Sequence, residues 1–148
     1  MKFRRILVGI PSLNESKKVV NQAIAIAKNC RSEFHVITVF DIPDIYDSKI
    51  NSDKSSHLKI KEHIEKMEHR LLEIKKNAER EGLRVVTELI DEKRRPDKSL
   101  LTYCKKKKID LIIVGKGKGK GEKFKEWILG STALEIAKYS DCSVMIIK

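Results

Sequence analysis

Residues 110–148, DLIIVGKGKGKGEKFKEWILGSTALEIAKYSDCSVMIIK, decide the fold of this chain. The runs at 110–114 and 143–147 are short, apolar and rich in β-branched residues, which is typical of strands buried on both faces. Between them, GST at 130–132 opens a segment in which apolar residues have helical spacing. Because a helix joins the two strands, they are expected to run parallel to each other.

The same alternation of strand and helix extends back to the start of the sequence. Strands are predicted at 5–10, 34–40, 84–90, 110–114 and 143–147. Helices are predicted from Ser12 to about Cys30, at about 56–80, at 96–105 and from Gly130 to about Tyr139. Gly82 is predicted to end the second of them, as a glycine after a helix often does. Strands that are apolar on both faces and alternate with helices indicate a parallel sheet covered on both sides. We therefore predict an α/β fold, a three-layer doubly wound five-stranded parallel sheet, in a single domain spanning residues 1–148.

Composition excludes several classes of protein. The chain has 148 residues, 41% of them apolar, and a net charge of +11 from 32 Lys and Arg against 21 Asp and Glu. No apolar run approaches the ~18–20 residues of a membrane span, and the first apolar run is too short for a secretory signal. Cys30, Cys104 and Cys142 form no CxxC motif. We therefore expect reduced thiols in a cytoplasmic protein.

Nucleic-acid, metal and catalytic sites are not supported by the residues. The run of four lysines at 105–108 could attract nucleic acid, but aromatic residues make up only 5% of the chain, and no helix-turn-helix, RRM or KH pattern is present. His57, His63 and His69 recur every six residues of a predicted helix, so neighbours point about 120° apart and do not share a metal. His35 stands alone in a predicted strand, and all four histidines are expected to be solvated or partly buried. No nucleophile stands in a recognisable catalytic arrangement, and no catalytic residue is predicted.

The segment after the fourth strand has the chemistry of an anion-binding loop. Glycines at 115, 117, 119 and 121 alternate with lysines, so backbone N–H groups and positive charge can approach a phosphate together. Thr132 and Glu135 have capping-box spacing, which predicts a helix N-terminus facing the same space. Ligands of open α/β sheets bind at such strand ends. The alternative is a flexible, solvated Gly-Lys loop, since neither the Walker A nor the G-x-G-x-x-G pattern matches.

Three stretches of the chain together resemble the universal stress protein family. They are ILVGIPSLNES at 6–16, HVITVFDIP at 35–43 and the quoted segment 110–148, in which strand, glycine loop, Gly-Ser helix start and closing strand follow in the family's order. The resemblance implies strand order 3-2-1-4-5 in an adenine nucleotide alpha hydrolase-like fold. It also implies ATP as the ligand, with Mg²⁺ as a candidate companion ion.

The resemblance further implies which residues hold the nucleotide. Val39 would contact adenine through its backbone, while Lys116, Lys118 and Lys120 would neutralise phosphates. The implied nucleotide-binding residues are Gly9, Pro11, Ser12, Val39, Val114, Gly115, Lys116, Gly117, Lys118, Gly119, Gly121, Gly130, Ser131 and Thr132.

The sequence departs from the family's ATP-binding pattern at two places. When the pattern G-x2-G-x9-G-[ST] is counted back from Gly130, its first glycine is Gly117, but its second falls on Lys120. Where ATP-binding members usually carry Asp, this chain has Pro11, which lacks a backbone N–H. These departures favour, as an alternative, a dimeric interaction protein of the same fold that binds no nucleotide. A slow ATPase is a further alternative.

The last strand implies how the protein assembles. In the family's strand order, Val144, Met145, Ile146 and Ile147 form an apolar sheet edge, and such edges are normally covered or paired. The family pairs this edge across a two-fold axis, so we expect a homodimer. The leading hypothesis is a cytoplasmic universal stress protein, an ATP-binding module that acts in the stress response through nucleotide-dependent conformation and contacts with its own copy or an unknown partner protein.

Overall fold

The predicted alternation of strands and helices is confirmed along the chain. A computed structural model describes residues 2–10, 17–40, 54–91, 96–117 and 130–148. The strands are β1 (Arg5–Ile10), β2 (Glu33–Phe40), β3 (Arg84–Asp91), β4 (Leu111–Gly115) and β5 (Ser143–Ile147). The helices are α1 (Lys17–Cys30), α2 (Lys54–Arg80), α3 (Pro96–Lys107) and α4 (Ser131–Tyr139).

The strands form one parallel sheet in the order β3-β2-β1-β4-β5. β1 lies at the centre, where Val8 is opposite Val36 of β2 on one side and Ile113 of β4 on the other. β2 and β3 are therefore added on one side of β1, and β4 and β5 are added on the other side. This order confirms the predicted doubly wound fold.

Alternate residues of the central strands pack against opposite helical layers. Ile6, Val8 and Ile113 face α1 and α2, whereas Leu7 and Ile112 face α3 and α4. All five side chains are fully buried. Burial on both faces explains why β1 and β4 are apolar along their whole length. A strand with one face in water would instead alternate apolar and polar residues.

Three of the described helices end in the same backbone motif. After α2, Leu83 N–H donates to the carbonyl of Ala78 at 3.2 Å while Gly82 takes a φ of +86°. This is a Schellman ending, which satisfies carbonyls that the helix leaves open. The predicted glycine stop of this helix is confirmed. α1 and α3 end in the same way at Arg31 and Lys108, with φ values of 56° and 53°.

The predicted capping box at the start of the last helix is wrong. Gly130, with extended backbone, occupies the N-cap of α4 and makes no side-chain cap. Thr132 is the second residue of the helix, so its hydroxyl is not at the cap position. The reason is a backbone constraint, because Gly130 N–H donates to the carbonyl of Lys116 at 2.8 Å and fixes where the helix begins.

The helices of the described ranges include none that is both long enough and apolar enough to cross a membrane. The longest of them, α2, alternates apolar positions with many Lys and Glu residues.

Candidate functional site

The carboxyl ends of β1 and β4 mark the point at which the sheet topology reverses. These two strands are neighbours in the sheet. β1 leads into α1 on one face, whereas β4 leads towards α4 on the other face. Helices α1 and α4 thus lie on opposite faces of the sheet, and open α/β sheets bind their ligands at the ends of two neighbouring strands whose helices separate in this way. The predicted site thus lies at the topological switch point.

Gly117 and Gly130 bring the start of the glycine loop against the start of α4. A Cβ on Gly117 would lie 3.0 Å from Gly130 Cα, and a Cβ on Gly130 would lie 3.1 Å from Gly117 Cα. Gly117 also takes a φ of +75°, which other residues rarely adopt. The two backbones therefore approach closely. Gly117 requires glycine because of its φ, and a Cβ on Gly130 would fit only if Gly117 moved by a few tenths of an ångström.

Hydrogen bonds hold this junction to the sheet. Gly130 N–H donates to Lys116 O, and Lys116 N–H donates to the carbonyl of Ile147 at the end of β5, 2.9 Å away. The loop thus begins at a fixed place above the carboxyl edge. Helix α4 starts from the same place, and its macrodipole contributes about half a positive charge there. The arrangement suits an anion.

The described residues of the predicted site fall into two groups. Ser131 and Gly117 are exposed, and Lys116 and Thr132 are half-buried, so these four surround the junction. Gly9, Val39, Val114 and Gly115 lie in the strands below. Pro11, Ser12, Lys118, Gly119, Lys120 and Gly121 lie outside the described residues.

The strand residues of the predicted set form a packed floor. Val39 and Val114 are buried in the core that faces α3 and α4. A Cβ on Gly9 would lie 2.9 Å from the Leu100 side chain of α3, so this glycine makes room for a helix. The side chains of Val39 and Val114 therefore point into the core, and a ligand above this floor would contact mainly backbone atoms.

Sequence reasoning missed one neighbour of the site. A Cβ on Gly115 would lie 3.3 Å from Cγ2 of Val19 in the first turn of α1. α1 therefore closes over the end of β4. The order of the strands is the signal that places this turn beside β4, because the residues around Val19 do not by themselves indicate the contact.

Two described cavities lie at the opposite, amino edge of the sheet. One, of about 540 Å³, is bordered by the starts of β2 and β3 and by the ion pair of Lys28 and Glu81 at 2.6 Å. The other, of about 190 Å³, lies between α3, α4 and the start of β5. Neither includes a residue of the predicted nucleotide site.

The expectation that His35 stands alone as a solvated or partly buried side chain is wrong. It is fully buried, with Nδ1 2.7 Å from the hydroxyl of Tyr103 and Nε2 2.7 Å from Oε1 of Glu33. Burial lowers the pKa of His35 and raises that of Tyr103 to about 12. A neutral ring that donates from Nε2 and accepts the Tyr103 proton satisfies all three groups.

Metal ligands are not clustered in the described ranges. No group of three or more His, Cys, Asp and Glu side chains there could hold a metal ion.

The comparison with protein families agrees with the architecture. The family model described as "Universal stress protein family" matches residues 2–148. The chain belongs to the universal stress protein family. Among curated relatives, the universal stress protein MJ0531 of Methanocaldococcus jannaschii is 28% identical over 99% of this chain and 82% of its own length. Universal stress protein YxiE of Bacillus subtilis is 24% identical over 99% of both chains.

Solved structures share the fold at low sequence identity. The hypothetical protein MJ0577 superimposes with a TM-score of 0.79 at 19% identity, covering 100% of this chain and 97% of its own. A universal stress protein in complex with cAMP gives a TM-score of 0.68 at 19% identity, with 99% and 98% coverage. One from Archaeoglobus fulgidus in complex with dAMP gives 0.62 at 16% identity, with both chains fully covered.

Proposed function

We propose that this universal stress protein, as a single domain of residues 1–148, binds an adenine nucleotide, with ATP as the first candidate, in the crevice between β1 and β4. The observation that carries the proposal is the backbone contact of Gly117 with Gly130, which unites a glycine-lysine loop and a helix N-terminus at the switch point. Related structures with cAMP and dAMP support adenine as the base.

Each part of the crevice has a proposed task. The backbone of Gly117 and the first-turn N–H groups at Ser131 and Thr132 donate to phosphate oxygens, because a helix leaves its first N–H groups without intrahelical acceptors. Lys116 adds positive charge beside them. The backbone at Val39 contacts the adenine ring.

The remaining members of the proposed site continue from these residues in sequence. Lys118, Gly119, Lys120 and Gly121 extend the loop, and Gly130 fixes its far end. Pro11 and Ser12 follow β1, and Gly9, Val114 and Gly115 form the floor.

Titration calorimetry with ATP, AMP and cAMP, each with and without Mg²⁺, tests the proposal. We expect saturable binding, and ATP at about 100 times its Kd would stabilise the fold by about 2.7 kcal/mol. No heat and no shift in melting temperature at millimolar ATP would instead leave the alternative, an interaction protein that binds no nucleotide. Phosphate release above a buffer blank would add slow hydrolysis.

Gly117→Ala with Gly82→Ala as its matched control localises the binding. Both glycines have positive φ, but a Cβ on Gly82 meets nothing within 4 Å, whereas one on Gly117 meets Gly130. Both variants carry a similar cost in backbone strain, of about 1 kcal/mol. We expect only Gly117→Ala to weaken ATP, by about tenfold or more, which corresponds to about 1.4 kcal/mol. Equal affinities in the two variants would contradict the proposed location.

The proposed biological role is a cytoplasmic stress-response module that passes nucleotide occupancy to its own copy or to a partner protein. β5 borders the described sheet. Val144, Met145, Ile146 and Ile147 are half-buried there without a further described strand beside them. A homodimer would pair this edge. Sedimentation that shows only a 17 kDa species at micromolar protein would remove the dimer from the proposal.

A further inference from the structure

Two cysteines share the smaller cavity at the amino edge of the sheet, far along the strands from the nucleotide crevice. The cavity, of about 190 Å³, is lined by residues that include Cys104 of α3 and Cys142 of the turn before β5. Cys104 is buried and Cys142 is half-buried, and both are free thiols. Because Cys142 is the more exposed of the two, it is the sulfur that a small reagent in the cavity would meet first.

The two thiols lie beside each other and beside a serine. Cys104 and Cys142 border the same cavity and are close enough for each to change the pKa of the other. The hydroxyl of Ser140 lies 3.1 Å from Sγ of Cys142, and the N–H of Cys142 donates to that hydroxyl oxygen at 3.2 Å. The hydroxyl of Ser140 also donates to the carbonyl of Cys142 at 3.1 Å. The loop thus holds Ser140 beside the sulfur, where its hydroxyl can donate to a thiolate.

Hydrogen bonding decides which cysteine ionises first. The Cys104 thiol donates to Cys142 and lowers the pKa of Cys142, assisted by Ser140 and by the backbone at Cys142 and Ile112. The same bond, together with burial, raises the pKa of Cys104. Cys142 is the more exposed of the two thiols and has the Ser140 hydroxyl beside its sulfur, so we assign it as the nucleophile and Cys104 as the protonated neighbour, since a thiolate attacks and a thiol does not.

Charged side chains border the mouth of the cavity. Lys105 and Lys108 line it. Nζ of Lys105 lies 3.4 Å from a carboxylate oxygen of Asp141, both side chains being largely exposed. Tyr139, which also lines the cavity, is 63% exposed, so the opening is reached from solvent.

We propose that Cys142 and Cys104 form a dithiol site that reduces small hydroperoxides and becomes a disulfide between α3 and the turn before β5. The contact between the thiols, the cavity that reaches Cys142 and the neighbouring Ser140 carry this assignment. It is independent of nucleotide binding.

The reaction balances with the hydroperoxide as oxidant. The Cys142 thiolate attacks the terminal peroxide oxygen, an S–O bond forms, the O–O bond breaks, and the leaving alkoxide takes a proton from water to become an alcohol. Cys142 is then a sulfenic acid. The sulfur of Cys104 next attacks that of Cys142, an S–S bond forms, the S–O bond breaks, and the departing hydroxide takes the Cys104 proton and leaves as water. Two thiols lose two electrons and the peroxide gains them.

Treating the full-length protein with hydrogen peroxide tests the proposal. We expect a loss of mass of two hydrogen atoms and a proteolytic fragment that joins the Cys104 and Cys142 peptides. Cys30, a half-buried residue of α1 outside the cavity, is the internal control. It should remain available to a maleimide and react at least about tenfold more slowly than Cys142.

Single variants assign the two roles. Cys104→Ser should accumulate a sulfenic acid on Cys142 that dimedone traps, Cys142→Ser should prevent disulfide formation, and Cys30→Ser should behave as the parent. Ser140→Ala, which leaves both thiols in place, should slow the first step. Joining of Cys30 to another chain as the sole product, or unchanged oxidation in Cys142→Ser, would overturn the proposal. The cross-linked peptide in the parent protein is a readout that does not depend on how the variants fold.

Discussion

The two edges of the sheet are built from different chemical groups. At the carboxyl edge, the described junction depends on backbone, since Gly117, Gly130 and Lys116 meet through main-chain atoms. At the amino edge, side chains make the connections. Asp110 accepts hydrogen bonds from the N–H groups of Arg4 and Arg5, both at 2.8 Å.

Buried side chains extend the amino edge into the core. His35 joins Glu33 of the same strand to Tyr103 of α3. Groups that are fully paired with each other have little left to offer a ligand, whereas helix N–H groups and glycine backbone remain available for one. We therefore assign stability to the paired groups of the amino edge, and we place the proposed nucleotide site at the carboxyl edge. The predictions below separate these contributions.

The largest effect on stability is expected from His35→Ala. This change opens a cavity and leaves the buried Tyr103 hydroxyl without its partner, which together cost about 3 kcal/mol. Its matched control is His69→Ala on α2, where a 73% exposed side chain pairs with Glu73 and the loss should stay within about 0.5 kcal/mol. Urea unfolding measures both. Similar costs for the two histidines would contradict a structural role for the His35 network.

Acid should weaken the hydrogen bonds of the same network but leave its side chains packed. The loss of stability should therefore be smaller than in His35→Ala. The pKa of Glu33 is lowered, chiefly by its hydrogen bond with His35, and that of His35 is lowered by burial. In both cases the unfolded chain binds protons more readily than the folded one, so stability falls as the pH drops. The His35 contribution fades below pH 6.5 and the Glu33 contribution below pH 4.5, the ordinary values of these groups.

Urea unfolding across this pH range checks the linkage, with His35→Gln as the comparison. Gln carries no proton to titrate, so the slope of stability against pH between 6.5 and 5 should become shallower in this variant. An unchanged slope would assign the acid sensitivity to other groups.

The smallest effect is expected at the helix ends of the amino edge. Lys108 holds a left-handed φ of 53° that glycine adopts without strain. Lys108→Gly should therefore raise stability by about 0.5 kcal/mol, whereas Gly82→Ala at the equivalent position after α2 should lower it by about 1 kcal/mol. Thermal unfolding measures both. A loss of stability in Lys108→Gly would contradict this expectation. It would indicate that the lysine side chain stabilises the fold by more than its positive φ destabilises it.

Local pattern was sufficient to predict most of the fold. The β-branched runs and helical spacing predicted every described strand and helix, and Gly82 predicted the end of α2. The family resemblance supplied the strand order. The strands, the helices and the end of α2 depend on residues that are close in sequence. The strand order is a topology that many proteins share.

Contacts between distant residues were not predictable in the same way. His35 and Tyr103 lie 68 positions apart in the sequence. The residues beside each of them in the sequence do not indicate that the two side chains are in contact. Cys104 and Cys142 likewise come together only once α3 packs beside α4. The capping box at Thr132 failed because a tertiary hydrogen bond from Gly130 to Lys116 decided the helix start. The sequence pattern predicts where the proposed nucleotide site lies, whereas the contacts within the junction depend on packing.

An amide NMR titration with ATP tests the central claim most directly, because it reports both edges of the sheet in one experiment. We predict saturable shifts at the amides of Gly117, Gly130, Ser131 and Thr132, with those of His35 and Cys104 unchanged. Saturable shifts confined to the amino edge, or none at millimolar ATP, would contradict the account.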